Sequence, residues 1–223
     1  MIDGRYKAWI NLFWNRLGRF LVFFGLTPNQ VTLLGLFLVF LNCAFYIHHR
    51  NDLWFGIILA IVFTLDALDG AVARITDSAT KYGGYLDAVV DRYQEVAVYL
   101  AIAWVYGYWA VCFLSVTGSL LISYNKARMA IEMPIDNNNW PDLLERMERI
   151  VLICTALILN PFVMLPGIFP GDFLYTMILA VGILTHITAI QRFFRARRAL
   201  IKADDSNAEN ISGKSIPGGR APR

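Results

Sequence analysis

Long apolar segments set the main limit on how this chain can fold. Hydrophobic residues make up 57% of its 223 residues, which is more than a water-soluble domain usually carries. The apolar residues are gathered in segments close to the length that crosses a bilayer, separated by short polar connections. The sequence therefore predicts an all-α polytopic membrane protein with six transmembrane helices. The predicted spans are about 30–46, 53–74, 84–105, 109–122, 145–165 and 173–194.

The two ends of the chain differ in character from the spans. Residues 1–25 alternate basic side chains with aromatic and aliphatic ones, a pattern typical of an amphipathic helix lying in the membrane interface. This beginning lacks the short apolar core of a cleavable signal peptide. Residues 26–202 are expected to form the transmembrane domain. The polar stretch 203–223, which has no hydrophobic periodicity, is predicted to be a disordered cytoplasmic tail.

Lysine and arginine residues are unevenly distributed among the connections. They gather in the N-terminal segment, in the 74–81 and 126–149 connections, and at the end of the last span. The other three connections hold only Arg50. The positive-inside rule therefore places both termini in the cytoplasm. This topology explains the net charge of +3, and we expect no nucleic-acid partner.

Four carboxylates interrupt two of the apolar segments. Asp66 and Asp69 are spaced i, i+3 and Asp87 and Asp91 are spaced i, i+4, so each pair shares one face of a helix. A charge inside a membrane segment costs several kcal/mol and usually marks a functional site. The Gly83-Gly84 pair is expected to break the chain between the two helices and let the second pair fold back toward the first.

Oxygen ligands without histidine or cysteine suit Mg²⁺ or Mn²⁺. Four converging carboxylates are expected to hold two such ions, an arrangement used for displacement at phosphorus. Small residues at Gly70 and Ala73 allow close approach of a ligand, and Arg74 and Lys81 could neutralise phosphate oxygens. The alternative is that the carboxylates pair with basic residues in a polar bundle core. An ion pathway in a small transporter is a third possibility.

The full spacing is Asp66-x2-Asp69-Gly70-x2-Ala73-Arg74-x8-Gly83-x3-Asp87-x3-Asp91. It resembles the signature of the CDP-alcohol phosphotransferase family at every signature position. The resemblance implies transfer of a lipid phosphate from CDP-diacylglycerol or CDP-archaeol to an alcohol, with release of CMP. It also implies that Asp91 accepts the hydroxyl proton and that the protein is a homodimer.

The resemblance further implies a binding site for the CDP-lipid around the carboxylates. A Thr-Pro-Asn turn before the first span lies near the nucleotide in this family, although the same turn reads simply as a helix cap at Thr27. Thr80 has a similar alternative role, as a cap for the helix at Gly83. The expected CDP-lipid ligands are Pro28, Asn29, Gly70, Ala73, Arg74, Thr80 and Gly83.

Four further positions resemble the phosphate-binding residues of the subfamily that uses inositol phosphate as the acceptor. They are Ser123, Lys126, Arg146 and Arg192. Each basic residue alone could be an ordinary side chain reaching the membrane surface. Glycerol-3-phosphate carries the same phosphate, so the acceptor used by phosphatidylglycerophosphate synthases is a close rival, followed by serine.

Two additional charged groups lie near the expected site. Glu95 follows Asp91 by one turn and is expected to form a salt bridge or a hydrogen bond beside the metal ligands. Arg149 is expected to pair with Glu145, one turn back on the same helix. Cys43, Cys112 and Cys154 are isolated from one another in the sequence and are expected only to pack.

Overall fold

The computed structural model describes residues 16–66, 68–133, 144–163 and 172–214, with the side chains of Asp66 and of 206–214 left out. Every regular element within these ranges is an α-helix. The expected interfacial helix therefore lies outside the described residues over 1–15, as do the asparagine-rich connection over 134–143 and the end of the tail after Lys214.

Eight helices can be named in chain order within the described ranges. Residues 16–23 form α1. The others are α2 (Pro28–His49), α3 (Asp52–Asp66), α4 (Leu68–Ile75), α5 (Lys81–Tyr106), α6 (Trp109–Glu132), α7 (Arg146–Leu159) and α8 (Phe173–Lys214). The all-α prediction is confirmed.

Helix caps fix the two helix starts that matter for the site. Thr27 caps α2: its hydroxyl accepts from the Gln30 amide at 3.4 Å, and the Gln30 side chain accepts from the Thr27 amide at 2.9 Å. Pro28 occupies the first turn, where its missing N–H costs nothing. Thr80 caps α5 by accepting from the Gly83 amide at 3.0 Å. Both caps were predicted from the sequence.

The glycine pair does not separate the two carboxylate-bearing helices. Gly83 and Gly84 lie in the first turn of α5, which begins at Lys81. The chain changes direction instead over residues 76–80, where Asp77 adopts a positive φ of 49°. The prediction of a break at the glycines is therefore wrong, because the threonine cap starts the helix before them.

Helix pairs build the bundle. α6 packs along α8, α2 along α5, and α3 along α7. One core joins these pairs, and its fully buried members include Val39, Leu59, Ile102, Leu157 and Ile178. Many large apolar side chains remain exposed on the outside of the bundle, among them Phe37, Trp104, Phe113 and Ile187. Such a surface matches a hydrocarbon environment, since apolar patches of this extent are rare on soluble monomers.

Three helical stretches within the described residues are long and apolar enough to cross a membrane. They are Pro28–His49, Asp52–Ile75 and Phe173–Asp205. These agree with the first, second and sixth predicted spans, while six spanning helices in total stays a prediction. The last helix runs further than the apolar pattern, because α8 reaches Lys214. The first part of the segment that composition predicts to be disordered is therefore helical.

A buried carboxylate joins several helices at the end of the bundle away from the aspartate pairs. Asp52 accepts hydrogen bonds from the Tyr46 hydroxyl at 2.6 Å, from the Asn160 amide at 2.7 Å, and from Tyr106. Asn160 in turn accepts from the Leu174 amide at 2.9 Å. This network connects α2, α3, α5, α7 and α8. A buried charge with this many donors is satisfied, so the cluster holds the helix ends together.

Candidate functional site

A cleft between the starts of α2, α4 and α5 collects most of the residues predicted to bind the CDP-lipid. Its empty space, which is partly open to solvent, is about 580 Å³. Its lining includes Pro28, Asn29, Gly70, Ala73, Thr80 and Gly83, together with Asp69 and Asp87. We call it the α4–α5 cleft. Arg74 is exposed and lies beside it, with its guanidinium next to Gly70.

Gly83 lets two parts of the cleft wall come close together. A Cβ atom at this position would lie 3.2 Å from the Asn29 Oδ1 atom and 3.2 Å from the Thr80 hydroxyl. These distances are tighter than most real Cβ contacts, so a larger residue would push Asn29 away. The structure therefore explains why the pattern has glycine at position 83: the missing side chain lets α5 pack against the start of α2.

Asp69 is oriented by two donors. Its Oδ2 accepts from the Thr32 hydroxyl at 2.6 Å, and its Oδ1 accepts from the Gly70 amide at 2.5 Å. The Thr32 hydroxyl also lies 3.1 Å from the Pro28 carbonyl oxygen, which ties the position of Asp69 to the capped start of α2. The Asp69 carboxylate thus lines the cleft, and these two donors fix its rotamer.

The donor atoms of the α4–α5 cleft fit a hard divalent cation. Asp69 and Asp87 both line it, and its lining contains neither histidine nor cysteine. The Asp66 side chain, the third predicted ligand, lies outside the described part of the structure. Among the side chains that are described, no three of histidine, cysteine, aspartate and glutamate lie close enough together to form a metal site. The four-carboxylate site for two ions therefore stays a prediction.

A second, larger cavity lies on the other side of α5. It encloses about 1230 Å³, and its lining comes from α5, α6, α7 and α8. All four residues predicted to bind the acceptor phosphate line it: Ser123, Lys126, Arg146 and Arg192. Asp91, Arg92 and Arg149 line it too. We call it the basic cavity. Five cationic side chains and two carboxylates, Asp91 and Glu145, line this space, and the excess of positive charge attracts an anion.

Asp91 stands where the two cavities approach each other. It lines the basic cavity, whereas Asp87, one helical turn earlier on α5, lines the α4–α5 cleft. The Asp91 Oδ1 atom lies 2.5 Å from an Arg146 nitrogen, and its Oδ2 atom lies 3.8 Å from Arg92. The alternative drawn from the sequence, that carboxylates pair with basic residues, thus describes the contacts of Asp91 in this structure.

Glu95 binds two of the arginines that line the basic cavity, Arg92 and Arg149. Its carboxylate accepts from Arg149 at 2.8 Å, from Arg92 at 2.9 Å and from the Ser119 hydroxyl at 2.5 Å. The expectation of a salt bridge at Glu95 is confirmed. The expected partner of Arg149 is wrong: its guanidinium binds Glu95 and the Leu144 carbonyl oxygen. The Glu145 backbone oxygen accepts from the Arg149 amide at 3.2 Å.

Arg192 and Ser123, which also line the basic cavity, contact backbone carbonyl oxygens of α6. The Arg192 side chain reaches from α8 to the Ile122 carbonyl oxygen on α6 at 2.6 Å and is 6% exposed. The Ser123 hydroxyl lies 3.3 Å from the Ser119 carbonyl oxygen, one turn back. The close packing of α6 on α8 therefore places cations from both helices at one wall.

Three residues of the site were not selected from the sequence. Thr32 orients Asp69, Arg92 joins Asp91 to Glu95, and Gln94 accepts a hydrogen bond from Arg146 at 2.9 Å. Helical spacing gave a signal for two of them, since Gln94 and Thr32 follow Asp91 and Asn29 by three residues and so lie on the same faces. Arg92 gave none.

Comparison with known proteins gives a family match over most of the chain. The family model described as CDP-alcohol phosphatidyltransferase matches residues 25–190. An archaetidylinositol phosphate synthase of Pyrococcus horikoshii is 37% identical over 187 residues, covering 83% of this chain and 91% of that protein. A phosphatidylinositol phosphate synthase of Streptomyces avermitilis is 30% identical over 226 residues, covering 95% and 89%.

Solved structures are similar in fold. The phosphatidylinositol phosphate synthase of Mycobacterium tuberculosis with CDP-DAG bound superposes with a TM-score of 0.71 at 25% identity, covering 82% of this chain and 92% of that one. The same enzyme in complex with manganese and citrate gives a TM-score of 0.71 at 26% identity, covering 82% and 88%.

Proposed function

The chain belongs to the CDP-alcohol phosphatidyltransferase family, and on that basis we propose that it transfers a phosphatidyl-type group from a CDP-lipid to the hydroxyl of an inositol phosphate, releasing CMP. One observation carries the choice of acceptor. The basic cavity gathers Ser123, Lys126, Arg146 and Arg192 from three helices around Asp91. A neutral alcohol would not need so many cations, whereas an acceptor with its own phosphate does.

The CDP-lipid binds in the α4–α5 cleft in this proposal. Asn29, Thr80 and the small residues Gly70, Ala73 and Gly83 line the nucleotide, and Arg74 beside the cleft contacts its phosphates. Asp66, Asp69, Asp87 and Asp91 hold divalent ions, Mg²⁺ or Mn²⁺, which stabilise charge on the diphosphate. Relatives named for diacyl and for archaeal lipids are both similar to this chain, so CDP-diacylglycerol and CDP-archaeol are both kept as donors.

Asp91 is the proposed general base. The acceptor's phosphate lies among the cations of the basic cavity, and this places its hydroxyl beside the Asp91 carboxylate. The hydroxyl donates its proton to Asp91 while its oxygen attacks the phosphorus that carries the lipid. The bond from that phosphorus to the CMP oxygen breaks, and CMP leaves through the α4–α5 cleft. The position of Asp91 between the two cavities supports this role.

The protein is an integral membrane enzyme, and we propose that its termini and both cavities face the cytoplasm. The excess of lysine and arginine on the connections at that end supports this orientation. Inositol phosphate would then reach the basic cavity from the cytoplasm, and CMP would leave the α4–α5 cleft to the same side. A homodimer is proposed from the family resemblance.

CMP release tests the proposal. The full chain in detergent with Mg²⁺ and a CDP-lipid should release CMP when inositol phosphate is added, and only slowly with inositol, serine or no acceptor. Chelation of the metal with EDTA should stop the release, and added Mg²⁺ should restore it. If glycerol-3-phosphate stimulates CMP release and inositol phosphate does not, the acceptor in this proposal must be changed to glycerol-3-phosphate. Release that is equal for all acceptors would contradict the role of the basic cavity.

A further inference from the structure

Arg146 occupies an unusual place for a cation. It is the first residue of α7, where the helix dipole is positive and disfavours a positive side chain. Its side chain is still one-quarter exposed, at 25%, and lines the basic cavity. Other groups must therefore fix its guanidinium in the position from which it can meet an anion.

Three of the described residues contact this guanidinium. Its Nη2 atom donates to Gln94 Oε1 at 2.9 Å and forms an ion pair with Asp91, whose Oδ1 atom lies 2.5 Å away. Its carbon lies 5.8 Å from the centre of the Phe63 ring, a cation–π distance. Phe63 comes from α3, while Asp91 and Gln94 come from one face of α5.

The three neighbours differ in what happens to them during turnover. Asp91 is the proposed base and metal ligand, so its charge is engaged by other groups when both substrates are bound. The Phe63 ring limits how far the Arg146 guanidinium lies from α3, but it does not orient the guanidinium N–H groups. Gln94 is 0% exposed, uncharged and a full helical turn away from the proposed chemistry. Its oxygen is a directional contact for Arg146 that the proposed chemistry does not use.

We infer that Gln94 is a positioning residue that holds Arg146 toward the acceptor's phosphate. This inference rests on the proposed function in two respects: the acceptor carries a phosphate, and Asp91 is engaged by other groups during turnover. An amide suits the task because its oxygen accepts from the guanidinium without adding a negative charge to the cavity. A carboxylate in its place would pair with Arg146 more strongly and would compete with the incoming phosphate. An apolar side chain would leave Arg146 drawn toward Asp91.

Substitution of Gln94 tests this inference. Gln94→Met keeps the side-chain length but removes the accepting oxygen, and Gln94→Glu keeps the shape but adds a charge. Gln94→Met should raise the KM for inositol phosphate by roughly ten-fold, the size expected for losing one hydrogen bond to a charged group. Gln94→Glu should raise it by at least as much, because its carboxylate competes with the acceptor's phosphate for Arg146. The KM for the CDP-lipid should stay at the wild-type value. The unfolding temperature of each purified variant shows whether it folds, and Gln94→Glu remains informative if Gln94→Met does not.

Asn42→Leu is the matched control. Asn42 is another buried amide, 4% exposed, whose side chain donates to the Phe55 carbonyl oxygen at 3.2 Å in the α2–α3 part of the core. This variant should change the unfolding temperature without changing either KM. An acceptor KM that moves equally in Asn42→Leu and the Gln94 variants would mean that Gln94 acts only through general stability, and the inference would fail.

A binding measurement separates this inference from the proposed function. The dissociation constant for inositol phosphate is measured with Mg²⁺ present and the CDP-lipid omitted, so that no turnover is needed. It should rise by roughly ten-fold in Gln94→Met and by at least as much in Gln94→Glu. If the wild-type protein uses glycerol-3-phosphate, the same comparison is made with that acceptor. Wild-type affinity in both variants would overturn the role of Gln94, whichever phosphorylated acceptor the enzyme uses.

Discussion

Asp91 is the residue on which the proposed chemistry depends. Its carboxylate meets Arg146 at 2.5 Å and lies at the point where the basic cavity approaches the α4–α5 cleft. A base must be within hydrogen-bonding reach of the proton it takes, and this position satisfies that requirement for an acceptor whose phosphate is held by the surrounding cations. Asp69, by contrast, faces only the cleft.

Asp91→Asn should therefore lower kcat by roughly 10²- to 10⁴-fold, as expected for loss of a general base, while binding of the CDP-lipid stays close to normal. Asp66→Asn should lose both turnover and CDP-lipid binding, since its predicted role is in holding the metal. Turnover is measured as CMP release, and binding with a labelled CDP-lipid.

Asp77→Asn provides the comparison for these two variants. Asp77 lies on the exposed turn between α4 and α5 with a positive φ, a conformation that asparagine also tolerates. Its activity should equal that of the wild type. Near-normal turnover in Asp91→Asn would remove Asp91 from the role of base.

Spacing and family resemblance together were sufficient to select most of the site residues but not their partners. The spacing of the aspartates singled out the motif, the resemblance supplied the expected CDP-lipid residues, and the structure places six of those in one cleft. The contacts of Arg149 and Gln94 could not be obtained in this way. Arg149 meets Glu95, 54 residues away, and Arg146 meets Gln94, 52 residues away. Such contacts depend on which helices pack together, and local spacing carries no information about that.

At the level of elements, α6 and α8 carry one wall of the basic cavity. Ser123 and Lys126 come from α6 and Arg192 from α8, so the spacing between these helices sets the distance between the cations. Gly118 makes the close approach possible, since a Cβ atom there would lie 2.8 Å from Thr185 Cβ and 3.0 Å from His186 Cδ2.

Gly118→Leu should force the two helices apart. Overpacking of this kind typically costs about 1–3 kcal/mol, so the unfolding temperature should fall, and the KM for the acceptor should rise as the wall opens. Unfolding temperature is followed by tryptophan fluorescence in detergent. Gly84→Ala, which adds a Cβ where no atom lies within 4 Å, should unfold no earlier than the wild type. An unchanged unfolding temperature in Gly118→Leu would show that the helices are not held at this distance.

The length of the apolar segments predicted which stretches form helices, but it predicted the first and last residues of those helices less well. The cap at Thr27 was recognised because a threonine directly precedes a proline that can occupy the first helical position. The start of α5 was misplaced at the glycines because the Thr80 cap was treated only as an alternative. The ends of α6 and α8 extend past the apolar segments, because helix hydrogen bonding continues where polar residues leave the membrane.

At the scale of the whole molecule, one helix separates two compartments with different tasks. α5 presents Asp87 to the α4–α5 cleft and Asp91 to the basic cavity, and the helices around it supply oxygen ligands on one side and cations on the other. A lipid donor and a phosphorylated acceptor can thus approach one reacting centre from opposite sides. The buried Asp52 network at the far end of the bundle holds the helices that form both compartments.

The lipid product gives the most direct test of this arrangement. The protein is incubated with a CDP-lipid, inositol phosphate and Mg²⁺, and the extracted lipid is analysed by mass spectrometry. The account predicts a lipid that contains inositol and two phosphates, one joining the lipid to inositol and one retained from the acceptor, formed in step with CMP. A lipid with one phosphate, or CMP formed without any new lipid, would contradict it.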